Sequence, residues 1–376
     1  MEITINQESL LSAVQVVSRA VATRPTMPVL GGIFVRASVP DRLYLTATDL
    51  DAGISLVTTA QVHRPGSVVL PGRMLGEAVR KAPAGAIGLA TDPGNFVTTM
   101  TWGHRSSLSI HGIEPEQFPS LPEPREEWGI QVKAGELRAM IRQTGFAASQ
   151  NESRPILTGL LLEVRDGKLW MVGVDFSRMA LRTLTLTGQS EGGQQRAVVP
   201  AKVMGEVARL LSGDDELVHV VFSSSHAFFT MGSITVLSRL LEGQFPMYAQ
   251  LIPAEAEVVT TVGIDTTAFL ESCDRAALVS DELDRTVKLR FQDDHMTVLA
   301  ATPDVGMLTE ELPVELTGEE MEVAFNTRFM QDALRNVVTE RVVLKLTGLE
   351  SAAIFSMEER EDFTYVLMPL KSPGSA

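Results

Sequence analysis

Six histidines, His63, His104, His111, His219, His226 and His295, carry the most versatile side chains in this sequence, and none stands in a His-x-His or His-Glu-x-x-His spacing. Without such spacing two imidazoles do not converge on one metal, so no zinc site is suggested. Gly167-Lys168 runs into Leu169 instead of Ser or Thr and lacks the following helix of a phosphate-binding loop, so it reads as a turn. No Gly-x-Ser-x-Gly elbow and no Gly-x-Gly-x-x-Gly run occurs, which removes the usual serine-hydrolase and dinucleotide signatures. The single cysteine, Cys273, lies in an apolar helical stretch where a buried, inert thiol is expected. One cysteine cannot form an intramolecular disulfide, which fits a reducing compartment. Asp49-Leu50-Asp51-Ala52-Gly53 begins like a calcium loop but lacks its later glutamate. These patterns assign no catalytic residue, no cofactor and no metal.

What remains is charge placed on helices. Arg73, Glu77 and Arg80 stand at i, i+4 and i+7 and so share one helix face, and Lys202, Glu206, Arg209 and then Arg328, Asp332, Arg335 repeat the arrangement. Six helical segments are expected, over residues 8–20, 71–82, 135–147, 200–211, 265–277 and 326–337, and together they carry a formal +3. The whole chain carries −15, from 47 Asp and Glu against 32 Lys and Arg, so the negative charge lies on strands, loops and connectors. Such an anion is not an ordinary basic nucleic-acid binder.

The elements that position those helices recur three times along 376 residues. Val68-Val69-Leu70-Pro71-Gly72-Arg73 opens the same run as Val198-Val199-Pro200-Ala201-Lys202 and Val323-Ala324-Phe325-Asn326-Thr327-Arg328. An apolar helix precedes each run, over Leu10–Ala20, Leu137–Ala147 and Phe269–Ala277. Hairpins follow, turning at Pro40-Asp41, Asp166-Gly167 and Asp293-Asp294 and closing at Asp49, Asp175 and Asp304. Gln117-Phe118-Pro119 and Gln244-Phe245-Pro246 end the first two repeats before acidic, proline-containing connectors. The expected fold is therefore α+β, three tandem domains of antiparallel sheet with two helices each, bounded at 1–124, 125–254 and 255–376. With 44% hydrophobic residues the chain can bury a large core. Its first residues do not read as a signal peptide, and no run of about 18 apolar residues occurs. A cytoplasmic, non-membrane protein is the expectation.

Thr23-Arg24-Pro25-Thr26-Met27-Pro28-Val29-Leu30, Asp175–Ala180, Gln244-Phe245-Pro246 and Tyr365-Val366-Leu367-Met368-Pro369-Leu370-Lys371 resemble the bacterial DNA polymerase III β subunit family, the sliding clamps, in order along the whole chain. The resemblance implies a non-catalytic processivity factor. It would be a head-to-tail homodimer forming a six-domain ring, with sheets outside and helices lining a hole that holds duplex DNA without reading its sequence. A basic lining inside an acidic molecule agrees with this, because weak phosphate contacts suffice for an encircled ligand and permit sliding. By motif position Arg24, Arg73, Arg80, Gln150, Lys202 and Arg209 would touch DNA.

The resemblance also implies an apolar slot that captures linear motifs of the DNA polymerase III α subunit, the clamp loader δ subunit and other clamp-binding proteins. The matching residues are Leu157, Val174, Phe176, Ser177, Arg178, Met179, Pro246, Leu251, Asn326, Phe329, Val366, Met368, Pro369 and Leu370. Ring closure would use Arg105, Leu108 and Ile110 on an edge strand of the first repeat against Leu278 and Val279 of the third. Departures from the family pattern are Ser106 for a frequent Phe, Phe176 for a common Gly, Gln250, Asp284 and the added Ser372-Pro373-Gly374-Ser375-Ala376. They leave a specialised second clamp copy, tolerant of a clamp-targeting antibiotic, as one alternative. A metal-dependent hydrolase built from repeats is the other.

Overall fold

The computed structural model describes residues 1–124, 128–186, 194–280 and 285–370. Asp284, Lys371, the five residues after it and the connector at 125–127 lie outside the described residues.

The first repeat runs β1 (Glu2–Asn6), α1 (Gln7–Val17), β2 (Gly32–Ser38), β3 (Arg42–Thr48), β4 (Ala52–Thr59), β5 (Gln61–Arg64) and β6 (Gly66–Pro71). It ends with α2 (Gly72–Lys81), β7 (Ala86–Thr91), β8 (Val97–Trp102) and β9 (Ser106–His111). The second comprises β10 (Trp128–Lys133), α3 (Ala134–Gly145), β11 (Gly159–Arg165), β12 (Lys168–Val174) and β13 (Arg178–Thr185). It continues with β14 (Gln195–Pro200), α4 (Ala201–Leu210), β15 (Leu217–Phe222), β16 (His226–Met231) and β17 (Ile234–Arg239). The third comprises β18 (Thr260–Asp265), α5 (Thr266–Ala277), β19 (Thr286–Gln292), β20 (His295–Thr302) and β21 (Gly306–Gly318). After it come β22 (Met321–Asn326), α6 (Thr327–Leu334), β23 (Arg341–Leu346), β24 (Ala353–Met357) and β25 (Arg360–Leu367). Strand, helix, strands, helix, strands is thus written three times, as the sequence implies.

Local chemistry accounts for these boundaries. Asn6 and Asp265 cap α1 and α5 by accepting from the amides of Glu8 and Ala268, and Asn326 caps α6 through the amides of Arg328 and Phe329. Helix α2 buries Leu75 and Val79 on one side and exposes Arg73 and Arg80 on the other. Asp166 and Gly167 both hold positive φ, 51° and 69°, which matches the twist of the β11–β12 hairpin they connect. Gly32 and Gly159 occupy corresponding sites where a Cβ would stand 2.5 Å from Val69 Cγ1 and 2.6 Å from Val198 Cγ1, so only glycine lets these strand pairs close.

The chain forms two compact units, and the sheets explain why these do not coincide with the repeats. One unit is 1–135 with 209–240. It holds the sheet β5-β1-β7-β8-β9 and the eight-stranded sheet β10-β15-β16-β17-β4-β3-β2-β6, in which β17 of the second repeat pairs antiparallel with β4 of the first. The other unit is 136–208 with 241–376. Its twelve-stranded sheet, β14-β11-β12-β13-β25-β24-β23-β18-β21-β20-β19-β22, joins the second repeat to the third where β13 pairs with β25. Its largest core gathers Phe269, Phe291, Phe325, Phe355, Phe363 and Tyr365 around Cys273, whose thiol burial pushes to a high pKa. None of the described helices is long and apolar enough to cross a membrane.

Candidate functional site

The residues expected to form the slot all lie in the second unit. Leu157, Val174, Met179 and Val366 belong to one buried cluster with Leu161, Val172, Leu181, Val198 and Tyr248, against which Ile156, Phe245 and Ile252 pack. Its rim is apolar and open: Phe176 and Met247 are 61% exposed, Met368 45% and Leu251 44%. Exposed apolar side chains around a buried apolar floor are what an amphipathic peptide displaces water from. Pro246 is half-buried in the segment that leads into Tyr248.

Backbone and charge hold the walls. The amide of Met368 donates to the Ser177 carbonyl at 2.8 Å and that of Leu370 to the Ala324 carbonyl at 2.8 Å, so the segment with Pro369 runs from the β12–β13 turn to β22. Arg178 is buried, with Nε 3.0 Å from Asp175 Oδ2 and Nη1 2.8 Å from Asp332 Oδ2, and its guanidinium lies 4.0 Å from the Phe329 ring centre. Burial opposes the arginine's charge, but Asp332 and Asp175 outweigh that and raise its pKa further. Phe329 packs against the third-repeat core with the Arg178 guanidinium over its ring, and Asn326 caps the helix that carries it.

In the third repeat these charges find partners off their own helix. Asp332 turns to Arg178 and not to its helix neighbours, while Arg335, just past the end of α6, pairs with Asp274 of α5 at 3.0 Å. In α2 the acid pairs within its own helix, with Arg80 Nη2 2.7 Å from Glu77 Oε1 and Lys81 Nζ 3.4 Å from Glu77 Oε2. The difference arises because Arg178, buried on β13, offers Asp332 a better-desolvated cation than the exposed α6 surface does.

Several positions were not singled out from sequence. Tyr248, only 3% exposed, donates to Glu163 Oε2 at 2.6 Å, and Glu163 is itself fully buried. Burial opposes ionisation of Glu163, yet donors from Tyr248, Gln194 and Arg196 hold its pKa below the ordinary value, and burial with this carboxylate pushes the phenol up. The signal was a lone acid inside Leu160-Leu161-Leu162-Glu163-Val164. Arg154 also stands over the exposed Phe176 ring at 5.1 Å.

The other expected residues are distributed over both units. Arg24 is exposed in the loop before Pro28, and Gln150 is exposed in the segment after α3. Arg73, Arg80, Lys202 and Arg209 are exposed on the second helix of their repeats. Arg105 lies in the turn before β9, Leu108 is half-buried on β9, and Ile110 is buried, so of the three only Ile110 belongs to its own core. Leu278 is 76% exposed, as is Met307, with Val305 at 64%. Val279 is tied to the β20 end through the bond that Thr302 Oγ1 donates to its carbonyl. Asp49 is occupied in a turn, accepting from the amides of Asp51 and Ala52, which gives its calcium-like sequence a local explanation.

Three family profiles match the chain in order: the N-terminal domain of the DNA polymerase III beta subunit over residues 1–122, its central domain over 131–247 and its C-terminal domain over 249–371. The beta sliding clamp of Staphylococcus epidermidis is 30% identical, covering 99% of this chain and all of that protein. The solved DNA polymerase sliding clamp of Bacillus subtilis superposes with a TM-score of 0.95 at 29% identity, covering 99% of each chain. A Pseudomonas aeruginosa sliding clamp solved bound to griselimycin gives 0.93 at 29% identity, over 99% of this chain and all of that one.

Proposed function

The chain belongs to the DNA polymerase III beta subunit family and is a sliding clamp, non-catalytic and not the repeat-built hydrolase, and from that premise we propose how it closes, what it holds and what it recruits. Two copies close head to tail around duplex DNA. One observation carries this. The first repeat is tied to the second by β4 with β17, and the second to the third by β13 with β25. The strands in the same places of the series, β21 and β9, are left over. Strand β9 is the edge of its sheet, and Gly306–Leu312 of β21 pairs on one side only, with β20, among the described residues. Unpaired edges that repeat a pairing made twice within the chain are complementary by construction. Each β9 then extends the partner's β21, with Arg105 and Leu108 near Leu278, Val279, Val305 and Met307.

The domains behind this arrangement are 1–124, 125–254 and 255–376. Arg24, Arg73, Arg80, Gln150, Lys202 and Arg209 meet phosphates, and topology supplies retention that weak contacts do not. The slot from Leu157 to Leu370 takes clamp-binding motifs of the DNA polymerase III α subunit and the clamp loader δ subunit, the buried floor accepting aliphatic anchors. The protein works in the cytoplasm, where replication takes place. Sedimentation equilibrium tests the closure: a species of about twice the 40.8 kDa chain is expected, and a stable monomer across micromolar concentrations would overturn it.

A further inference from the structure

The three helix pairs do not carry equal charge, and one helix position contributes to the difference. The ninth residue after the residue that precedes the first helix is Gln15 in the first repeat, after the cap Asn6, and Asp274 in the third, after the cap Asp265. In the second repeat the same count from Lys133 reaches Arg142. A neutral, a basic and an acidic residue thus occupy one site in the series.

The consequence differs in each repeat. Between α1 and α2 a groove of about 600 Å³ is lined by Gln15 together with Arg73, Glu77 and Arg80. Glu77 is shared between Arg80 and Lys81, and Arg73 has no ion-pair partner among the described residues, so the groove keeps net positive charge. In the second repeat Arg142 adds to Lys202, and both are exposed. In the third, Asp274 Oδ1 accepts from Arg335 Nη2 at 3.0 Å and from Gln331 Nε2 at 2.7 Å. Arg275, the only base on α5, is engaged by Glu310 at 2.5 Å and by Glu271 at 3.8 Å. Arg328 is left as the one cation on α5 and α6 without an ion-pair partner among the described residues, in a helix pair whose formal sum is negative.

We propose that duplex DNA is gripped by the helix pairs of the first and second repeats alone, and that Asp274 makes the third-repeat pair electrostatically silent toward phosphate. Counterion release scales with the phosphates neutralised, so a cation already neutralised within the protein adds nothing to it. This rests on the clamp reading and refines which residues of the lining act. A silent third of the lining leaves the encircled duplex free to lie against the other two thirds, with weaker total friction than a uniformly basic lining would impose.

The test uses the full-length protein and a short fluorescent duplex, with affinity measured against salt. Arg73→Ala is expected to weaken binding and flatten the log–log slope by about 0.9, the value for one phosphate contact. Arg335→Ala should leave affinity within about twofold. Asp274→Asn should tighten binding and steepen the slope by about the same 0.9, because it releases Arg335. Circular dichroism of each variant shows whether the fold is kept, and Gln331→Ala, which removes the neutral partner of Asp274, should change nothing. Loss of affinity in Arg335→Ala equal to that in Arg73→Ala, or no response to Asp274→Asn, overturns the proposal. A wild-type protein without salt-dependent duplex affinity, indifferent to Arg73→Ala, overturns the clamp reading and the proposal with it.

Discussion

Tyr248→Phe removes one atom from the wall of the slot, and the consequence can be worked from its surroundings. The hydroxyl donates to Glu163 Oε2 at 2.6 Å, while Oε1 of the same carboxylate takes Arg196 Nη2 at 3.1 Å and the amide of Gln194. Oε2 is therefore left with a buried negative charge and without that donor. A hydrogen bond to a charged group contributes about 1.5–3 kcal/mol, and an abandoned buried acceptor puts the loss in the upper half of that range, about 2–3 kcal/mol. Because the chain is multidomain, the readout must be local. Trp170 packs against the slot cluster, so urea unfolding followed by its fluorescence, in a Trp102→Phe, Trp128→Phe background, reports on this region. In a Glu163→Gln background the same Tyr248→Phe change should cost only about 0.5–1.5 kcal/mol, since the acceptor is then neutral. The pH dependence has a definite sign. Glu163 is more acidic folded than unfolded, so its contribution is complete above the ordinary glutamate range and fades as pH falls through its lowered folded value. Tyr248→Phe should therefore lose less at acid pH than at neutral pH. A cost below about 0.5 kcal/mol at neutral pH, or an equal cost in both backgrounds, would refute the tether.

Other perturbations test neighbouring parts of the account. Arg178→Met leaves Asp175 and Asp332 without their shared cation and should destabilise the second unit by about 3–5 kcal/mol in the same Trp170 assay. Met247→Ser and Met368→Ala alter exposed rim side chains, so they should leave unfolding unchanged while weakening a clamp-motif peptide about tenfold each in fluorescence polarisation. Leu278→Asp places a charge on a side chain that is 76% exposed in the single chain, and should raise the dimer dissociation constant about 100-fold or more in sedimentation.

How much of this was legible in the sequence depends on the range of the interaction. The helices and the Asp166-Gly167 turn follow from local spacing, and the three-fold recurrence follows from comparing the chain with itself. The slot residues came from resemblance, because Leu157, Met179 and Val366 look like any core residue until strands β13 and β25 pair and bring them together. Two features could not be read locally. Asp332 finds Arg178 from 154 positions away, and Arg335 is paired with a residue on a different helix, so a shared helix face does not tell which partner each charge takes. Sheet fusion is a third. Nothing in β17 announces that it will pair with β4 and tie half of the second repeat to the first, since that choice is made by edges and not by side-chain alternation.

Encirclement has one direct measurement. The protein, loaded onto nicked circular DNA and passed over a sizing column at moderate salt, should travel with the DNA and be released when a restriction enzyme linearises it. Release at the same rate from circle and line, or retention that survives cutting, would show contact-based binding and contradict the ring.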